Sequence, residues 1–232
     1  MIHPVRLDGN HKYWTPRRDG ELQVPGYSEI CAALGVTKPN PFYTHEGREK
    51  GIAIHAWGSF HAQGKTATAE PDERIRERVE QVKRFLSETK FVLAGTERSM
   101  YDPVNGFACT PDLYGSIGLW QWVIDLKSGG KVKSHPLQTA AQAIALKANG
   151  FRPQKRGAAY LKDGTYRLVE HSDIMDEVHW KAIVAGYHLM TPEQRAVFAS
   201  EEFPLRSEVF KTMTDAQRRI ISNAHAARSF YL

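Results

Sequence analysis

The stretch ACTPDLYGSIGLWQWVIDLKSG, residues 108–129, reads as two short strands around a turn, yet it carries Asp112, Asp125 and Lys127, charges that a half-buried sheet normally excludes. Side chains alternate faces along a strand. In WVIDLK, residues 122–127, Asp125 and Lys127 therefore share one face while Ile124 and Leu126 share the other. The preceding strand is expected to end at Thr110-Pro111-Asp112, where a proline fits a strand end or bulge. Pairing through a turn near residues 116–118 sets Asp112 beside Asp125. Two carboxylates that close repel, and one would keep its proton. A divalent cation removes that penalty, and carboxylate oxygens on rigid strands suit Mg²⁺. A lysine on the same face can orient a water and offset negative charge growing on a phosphate. The three charges make sense as a site for metal-assisted phosphodiester hydrolysis. D-x-K alone is more simply a surface ion pair; the earlier proline-aspartate, the aromatics between and the helix after it make the pattern specific.

The flanking sequence predicts an α+β or mixed α/β fold in one domain over residues 1–232, with a core over about 24–170 and a helical C-terminal region over 171–232. DGNHKYW and PRRDGELQV suggest an N-terminal β-hairpin. Ser28 is placed to cap a short helix closed by Gly35, and KPNPFY, residues 38–43, is a proline-broken loop. A helix follows over about 45–64, with Ile52, His55, Ala56 and Ser59 near one face, although Gly51 and Gly58 weaken it. In the next helix Ile75, Val79, Val82, Phe85 and Leu86 form an apolar stripe, with Pro71 at its start. Strands follow over about 91–127. Ser134 then caps a helix with Leu137, Ala141, Ile144 and Ala148 inward and Gly150 as its stop. A hairpin turns at Asp163-Gly164, and further helices start near Ser172, Thr191-Pro192 and Thr214.

Composition narrows the classes. Of the 232 residues, 41% are hydrophobic and 25% charged, ordinary for a water-soluble globular chain. No run approaches the ~18 apolar residues of a membrane helix, and MIHPVRLDGNHKYW lacks a signal-peptide layout. Two cysteines, Cys31 and Cys109, exclude a four-cysteine cluster and make a disulfide scaffold an unsuitable reading. A cytoplasmic setting is the expectation. A formal charge of +5 permits a polyanionic partner without requiring one.

In ordered series these elements resemble the PD-(D/E)XK nuclease superfamily, in its RecB-type and phage-exonuclease-like branch. GREKGIAIH resembles the helix that ends in a metal-binding histidine, here His55. Glu97 in GTERSMYD resembles the strand glutamate, Pro111-Asp112 the PD element and Asp125-Leu126-Lys127 the D-x-K element. Gln138 in HPLQTAAQ matches the glutamine of the following helix, and VPGYSEI resembles an opening common in phage members. The series covers roughly residues 24–145. The chain departs from the branch at Gln142, where tyrosine is usual.

The resemblance implies a restriction-endonuclease-like core, a central mixed four-stranded sheet flanked by helices, Mg²⁺ or Mn²⁺ dependence and cleavage of DNA. It implies metal binding by His55, Asp112, Asp125 and the backbone carbonyl of Leu126, with Glu97 binding the metal or its water. Lys127 becomes the catalytic lysine, and Gln138 contacts DNA or positions a neighbouring group. A phage-type exonuclease acting on linear ends in recombination or repair, inside a bacterial host cell and alongside a partner such as a single-strand annealing protein, is the leading reading. A structure- or sequence-specific endonuclease and a non-cleaving DNA-binding protein on the same scaffold stay open beside it.

Each residue also has a plainer role. His55 on an apolar helix is a candidate core histidine, Glu97 an ordinary strand residue, and Gln142 part of a solvated helix face. Cys109 reads as a packing residue, and Trp120 and Trp122 as sheet packing. Arg48, Lys50, Lys131, Lys133, His135, Lys155 and Arg156 are candidates for a positive rim that meets DNA phosphates. Arg218, Arg219 and Arg228 read as a helix surface.

Overall fold

The computed structural model describes residues 2–37, 44–202 and 204–232, so the KPNPFY loop lies outside the described residues. The N-terminal runs form three antiparallel strands, β1 (Arg6–Leu7), β2 (Tyr13–Arg17) and β3 (Gly20–Val24), with β2 central. The expected hairpin is β2–β3. The third strand is added because Asp8 closes the preceding turn, its Oδ1 accepting from the N–H groups of Asn10 and Lys12 at 2.9 Å each and its Oδ2 from the Trp14 indole at 2.8 Å. Helix α1 (Tyr27–Ala33) takes Gly26 as N-cap, with no side-chain cap, so Ser28 lies inside it. It stops as expected at Gly35, whose φ is +64°.

Helix α2 (His45–Ala62) runs unbroken through both glycines, and the Thr44 hydroxyl caps it by accepting from Gly47 N–H. Gly58 is what lets it lie close on the sheet, since a Cβ there would come within 2.5 Å of Leu126 Cδ1. The inward residues are Ile54 and Gly58, and Ile52 is 56% exposed. The predicted stripe of Ile52, His55, Ala56 and Ser59 instead lines a groove. The spacing is helical, but the close contact belongs to the side that carries the glycine. Helix α3 (Glu73–Glu88) buries Ile75, Val79, Val82 and Phe85 as expected. Asp72, not Pro71, caps it, accepting from Arg74 N–H at 2.9 Å.

The main sheet is mixed and five-stranded. Its members are β4 (Val92–Thr96), β7 (Leu113–Ile117), β8 (Trp120–Lys127), β9 (Lys155–Lys162) and β10 (Thr165–Glu170), in the order β10-β9-β8-β7-β4; β5 (Met100–Asp102) and β6 (Phe107–Cys109) pair separately. The expectation of four strands falls one short, because the Asp163-Gly164 hairpin carries β10 onto the edge of β9. Only β8 and β9 are parallel, with Asp125 opposite Ala158 and Lys127 opposite Tyr160. A parallel pair needs a crossover, and helix α4 (His135–Ala148) supplies it. Ser134 is its N-cap but makes no side-chain cap bond.

Helices cover both faces of this sheet. Trp122, Ile124 and Leu126 pack with Ile54, Val79, Val82 and Phe85 on the α2–α3 side. Val123 packs on the other side with Leu137, Ala141 and Ile144 of α4. Strand β8 is therefore buried on both faces from Trp122 to Leu126, with Asp125 in the middle. Helices α5 (Met175–Leu189), α6 (Pro192–Ser200) and α7 (Asp215–Tyr231) join this second cluster rather than hanging beyond it. Full capping boxes at Thr191 and Thr214 start α6 and α7 where expected. Helix α5 starts three residues after Ser172, where the Asp173 carboxylate accepts from Met175 N–H. Arg228 is not a surface residue: it is 6% exposed and donates to the Phe198 and Ala199 carbonyls. Arg218 donates to the carbonyls of Phe210, Lys211 and Met213, while Arg219 is exposed. Among the described residues no helix is long and apolar enough to cross a membrane.

Candidate metal centre and its groove

Leu113 pairs with Ile124, so one step further along the ladder Asp112 meets Asp125. The turn lies at Gly118 and Leu119, later than expected, and Asp112 sits in the bend just before β7 rather than closing the strand before it. At that level β7 has no more ladder to offer, and the Asp112 carboxylate takes its place: Oδ2 accepts from Leu126 N–H at 2.7 Å. Its other oxygen lies 3.3 Å from His55 Nδ1. Asp112 and Asp125 are 6% and 1% exposed.

Glu97 is not a strand residue. It sits in the turn after β4 with φ +49°, a left-handed conformation that costs a residue with a Cβ about 1–2 kcal/mol. Its N–H donates to the carbonyls of Pro111 at 3.1 Å and Asp112 at 3.3 Å, and the Thr96 hydroxyl donates to the Asp112 carbonyl at 2.6 Å. These bonds fasten the glutamate to the proline-aspartate segment and bring its Oε1 to 4.0 Å from His55 Nδ1. One ligand atom each from His55, Glu97 and Asp112 lies within 4.8 Å of the others. Backbone strain stored beside a cluster of ligand-type groups is typical of working sites.

Asp125 is turned to other partners. Its Oδ1 accepts from Gln138 Nε2 at 2.9 Å and from Gln142 Nε2 at 3.0 Å, and its Oδ2 meets only the Lys127 ammonium, 2.5 Å away. Lys127 in turn donates to Gln138 Oε1 at 2.9 Å. Gln142 is thus no solvated residue but 2% exposed, because α4 is roofed by α5 and has almost no free face. The convergent set is His55, Glu97 and Asp112, with Asp125 held one position behind it by two amides and a lysine.

The charges are mutually adjusted. The Asp112 carboxylate, against the pull of burial, raises His55 to about 9. Partial desolvation, reinforced by Asp112, pushes Glu97 up to about 7, although its side chain keeps 39% exposure to solvent. Burial works against ionised Asp112, but His55 holds its carboxyl below the ordinary value. For Asp125 burial prevails over Lys127, with Asp112 adding to the rise. Burial opposes the Lys127 charge, and Asp125 and Asp112 keep it above the ordinary lysine value. Two hard carboxylates and an imidazole, crowded and mutually repelling or protonated, are a donor set that a divalent cation would relieve.

The centre opens on a groove of about 1090 Å³ whose walls include Arg48, Lys50, Ser59 and Arg78. Arg78 is a wall cation that the sequence did not single out, and it is paired with Asp163 at 3.1 Å. Lys50 shares its charge with Glu46 at 2.8 Å. Lys131 and Lys133 are exposed on the loop beyond, and Val132 between them lines the groove. His135 also lines it, but its Nδ1 is bonded to the Tyr160 hydroxyl at 2.8 Å. Burial, then Lys127 and His171, lower it to about 4, so it brings no positive charge at neutral pH. Two expected rim cations are elsewhere. Lys155 pairs with Glu170 at 3.0 Å and covers Trp120 and Trp122 at the opposite end of β8. Arg156 is 7% exposed, inside the molecule. Trp122 is buried as sheet packing, whereas Trp120 is 51% exposed; Cys109 is a packing residue at 4%. Tyr160, a residue no sequence motif marks, lies on the α4 face opposite Lys127, as alternation from Arg156 requires.

No family model matches the chain, and a search of curated proteins returns no match.

Proposed function

We propose that the chain is a metal-dependent deoxyribonuclease of the PD-(D/E)XK type that hydrolyses phosphodiester bonds from the ends of linear DNA. The observation that carries the reading is the convergence of His55, Glu97 and Asp112 ligand atoms within 4.8 Å of one another, beside a lysine held on Asp125. The element order supports a restriction-endonuclease-like core: α3, the antiparallel run β4-β7-β8, the crossover helix α4 and the parallel strand β9.

His55, Glu97 and Asp112 would hold Mg²⁺ or Mn²⁺, with Asp125 and the Leu126 carbonyl as further oxygen donors. Bound there, the ion supplies positive charge to a phosphate oxygen and removes the repulsion among the carboxylates. The chain's own residues do the remaining work. Lys127 is a fixed ammonium that stabilises charge growing on the phosphate and orients the attacking water. Gln138 and Gln142 present only N–H groups to Asp125 and so favour its ionised form. Arg48, Lys50 and Arg78 on the groove wall, with Lys131 and Lys133 beyond it, meet the DNA backbone as positioning charges. An intact Asp112, Asp125 and Lys127 set favours cleavage over mere binding. Digestion of linear and covalently closed DNA with Mg²⁺, Mn²⁺ or EDTA tests the reading: loss of linear DNA with circles spared supports it, and cut circles assign internal cleavage instead.

A further inference from the structure

Beneath the glutamine-bearing helix lies a buried polar chain that the site chemistry does not use directly. Arg156 on β9 donates through Nη1 to the Pro136 carbonyl in the first turn of α4 at 2.8 Å. Its Nη2 donates to Asp176 Oδ2 at 2.6 Å and to the Asp173 carbonyl. The other Asp176 oxygen accepts from the Tyr231 hydroxyl at 2.7 Å. Arg156, Asp176 and Tyr231 are 7%, 2% and 5% exposed, so the chain of bonds is sealed from solvent. Tyr231 is the last residue but one.

Helix stability does not account for this arrangement. A cation beside a helix N-terminus opposes the macrodipole, and a buried ion pair is a poor source of net stability beside an apolar replacement. What the chain of bonds does is tie the first turn of α4 to β9, α5 and α7. That matters because Gln138 and Gln142 reach Asp125 at 2.9 and 3.0 Å from this helix, and Gln138 also holds Lys127. Ser134 gives no side-chain cap. The same turn is also held by the Tyr27 hydroxyl, which donates to the Ser134 carbonyl at 3.1 Å, and by the His135–Tyr160 bond, so the buried chain acts together with these contacts. A supporting shell loose by ~0.5 Å is enough to lose such a constellation.

We infer that Arg156, Asp176 and Tyr231 are positioning residues: the end of the C-terminal helix braces the first turn of α4 and thereby sets Gln138 and Gln142 on Asp125. The functional consequence rests on the nuclease reading; the geometric one does not. The test uses the full chain with Tyr231→Phe and Asp176→Asn, well below their melting temperatures. Two quantities are read: the NMR signals of the Gln138 and Gln142 side-chain amides, and kcat separately from KM for metal-dependent DNA cleavage. Arg228→Met is the control, since Arg228 is equally buried but its partners are on α6: it donates to the carbonyls of Phe198 and Ala199 and lies over the Phe198 ring.

Both brace variants are expected to shift the two amide signals and to lower kcat roughly 10-fold with KM little changed, as loss of a supporting partner does at metal sites. The control is expected to lose stability while both readouts stay put. Unmoved amide signals in both brace variants, or equal shifts in the control, overturn the inference. If the wild-type chain cleaves no DNA, the nuclease reading fails by itself, and the amide signals still decide the brace.

Discussion

The Gln138 side chain bridges Lys127 and Asp125: its oxygen accepts from the lysine ammonium and its nitrogen donates to the carboxylate, each at 2.9 Å. A strand residue and its neighbour two positions on are thus locked by one amide from the crossover helix. The amide presents opposite ends to opposite charges, which neither a carboxylate nor an ammonium could do.

Gln142, at 3.0 Å from Asp125, is expected to matter although it has no contact with the groove. Gln142→Met keeps the volume and removes one of the two amide hydrogen bonds to a buried carboxylate, leaving Gln138 and Lys127 on it. Cleavage is expected to fall about 10- to 100-fold with little change in folding. A variant as active as the parent in a steady-state assay contradicts this.

The pH dependence has a worked sign. His55, raised to about 9, is protonated in the fold above its unfolded value, so its contribution is complete below the unfolded value and is lost as pH rises through 9. Glu97, raised to about 7, favours its neutral form, so stability also falls as pH rises toward and through 7. The metal-free protein is therefore expected to melt lower at pH 9 than at pH 6. Both groups must lose protons to bind a cation, so Mn²⁺ affinity is expected to rise over the same range. Melting curves and metal titrations at a series of pH values check both trends; a flat metal affinity speaks against these ligands.

Glu97→Gly removes both a left-handed side chain and a ligand. The fold is expected to gain up to about 1 kcal/mol, measured by denaturant unfolding without metal, while Mn²⁺ binding weakens roughly 10-fold. Weaker folding together with unchanged Mn²⁺ binding would place Glu97 outside the centre.

Gly58→Ala puts a methyl within 2.5 Å of Leu126 Cδ1. Overpacking there is expected to cost about 1–3 kcal/mol, offset in part by the ~1 kcal/mol that alanine gains over glycine inside a helix, and to push α2, with His55, away from Asp112. Calorimetry reads the first effect and metal titration the second; a variant neutral in both contradicts the close contact.

Much of this centre was legible because strand alternation is local. Asp125 and Lys127 on one face, Asp112 opposite and the Asp163-Gly164 turn all follow from spacing and turn chemistry. What escaped depended on burial from a distance. Gln142 sits on a helix that looked amphipathic, and only the packing of α5 over α4 makes it a buried donor. Glu97 read as a strand residue because no local pattern announces a left-handed turn pinned by Pro111 and Asp112. Arg156 read as a rim cation because its partner Asp176 lies 20 residues further on. The fifth strand followed from where β9 docks, which the hairpin sequence does not specify.

The most direct measurement is the digestion of end-labelled linear DNA and closed circles by wild-type protein and by Lys127→Ala, with Mg²⁺, Mn²⁺ or EDTA. The account predicts metal-dependent loss of linear DNA, spared circles, and a rate at least ~100-fold lower for the variant, the scale of losing one transition-state donor. Wild-type protein that binds DNA yet leaves every substrate intact with either metal, or a Lys127→Ala variant as active as wild type, contradicts it.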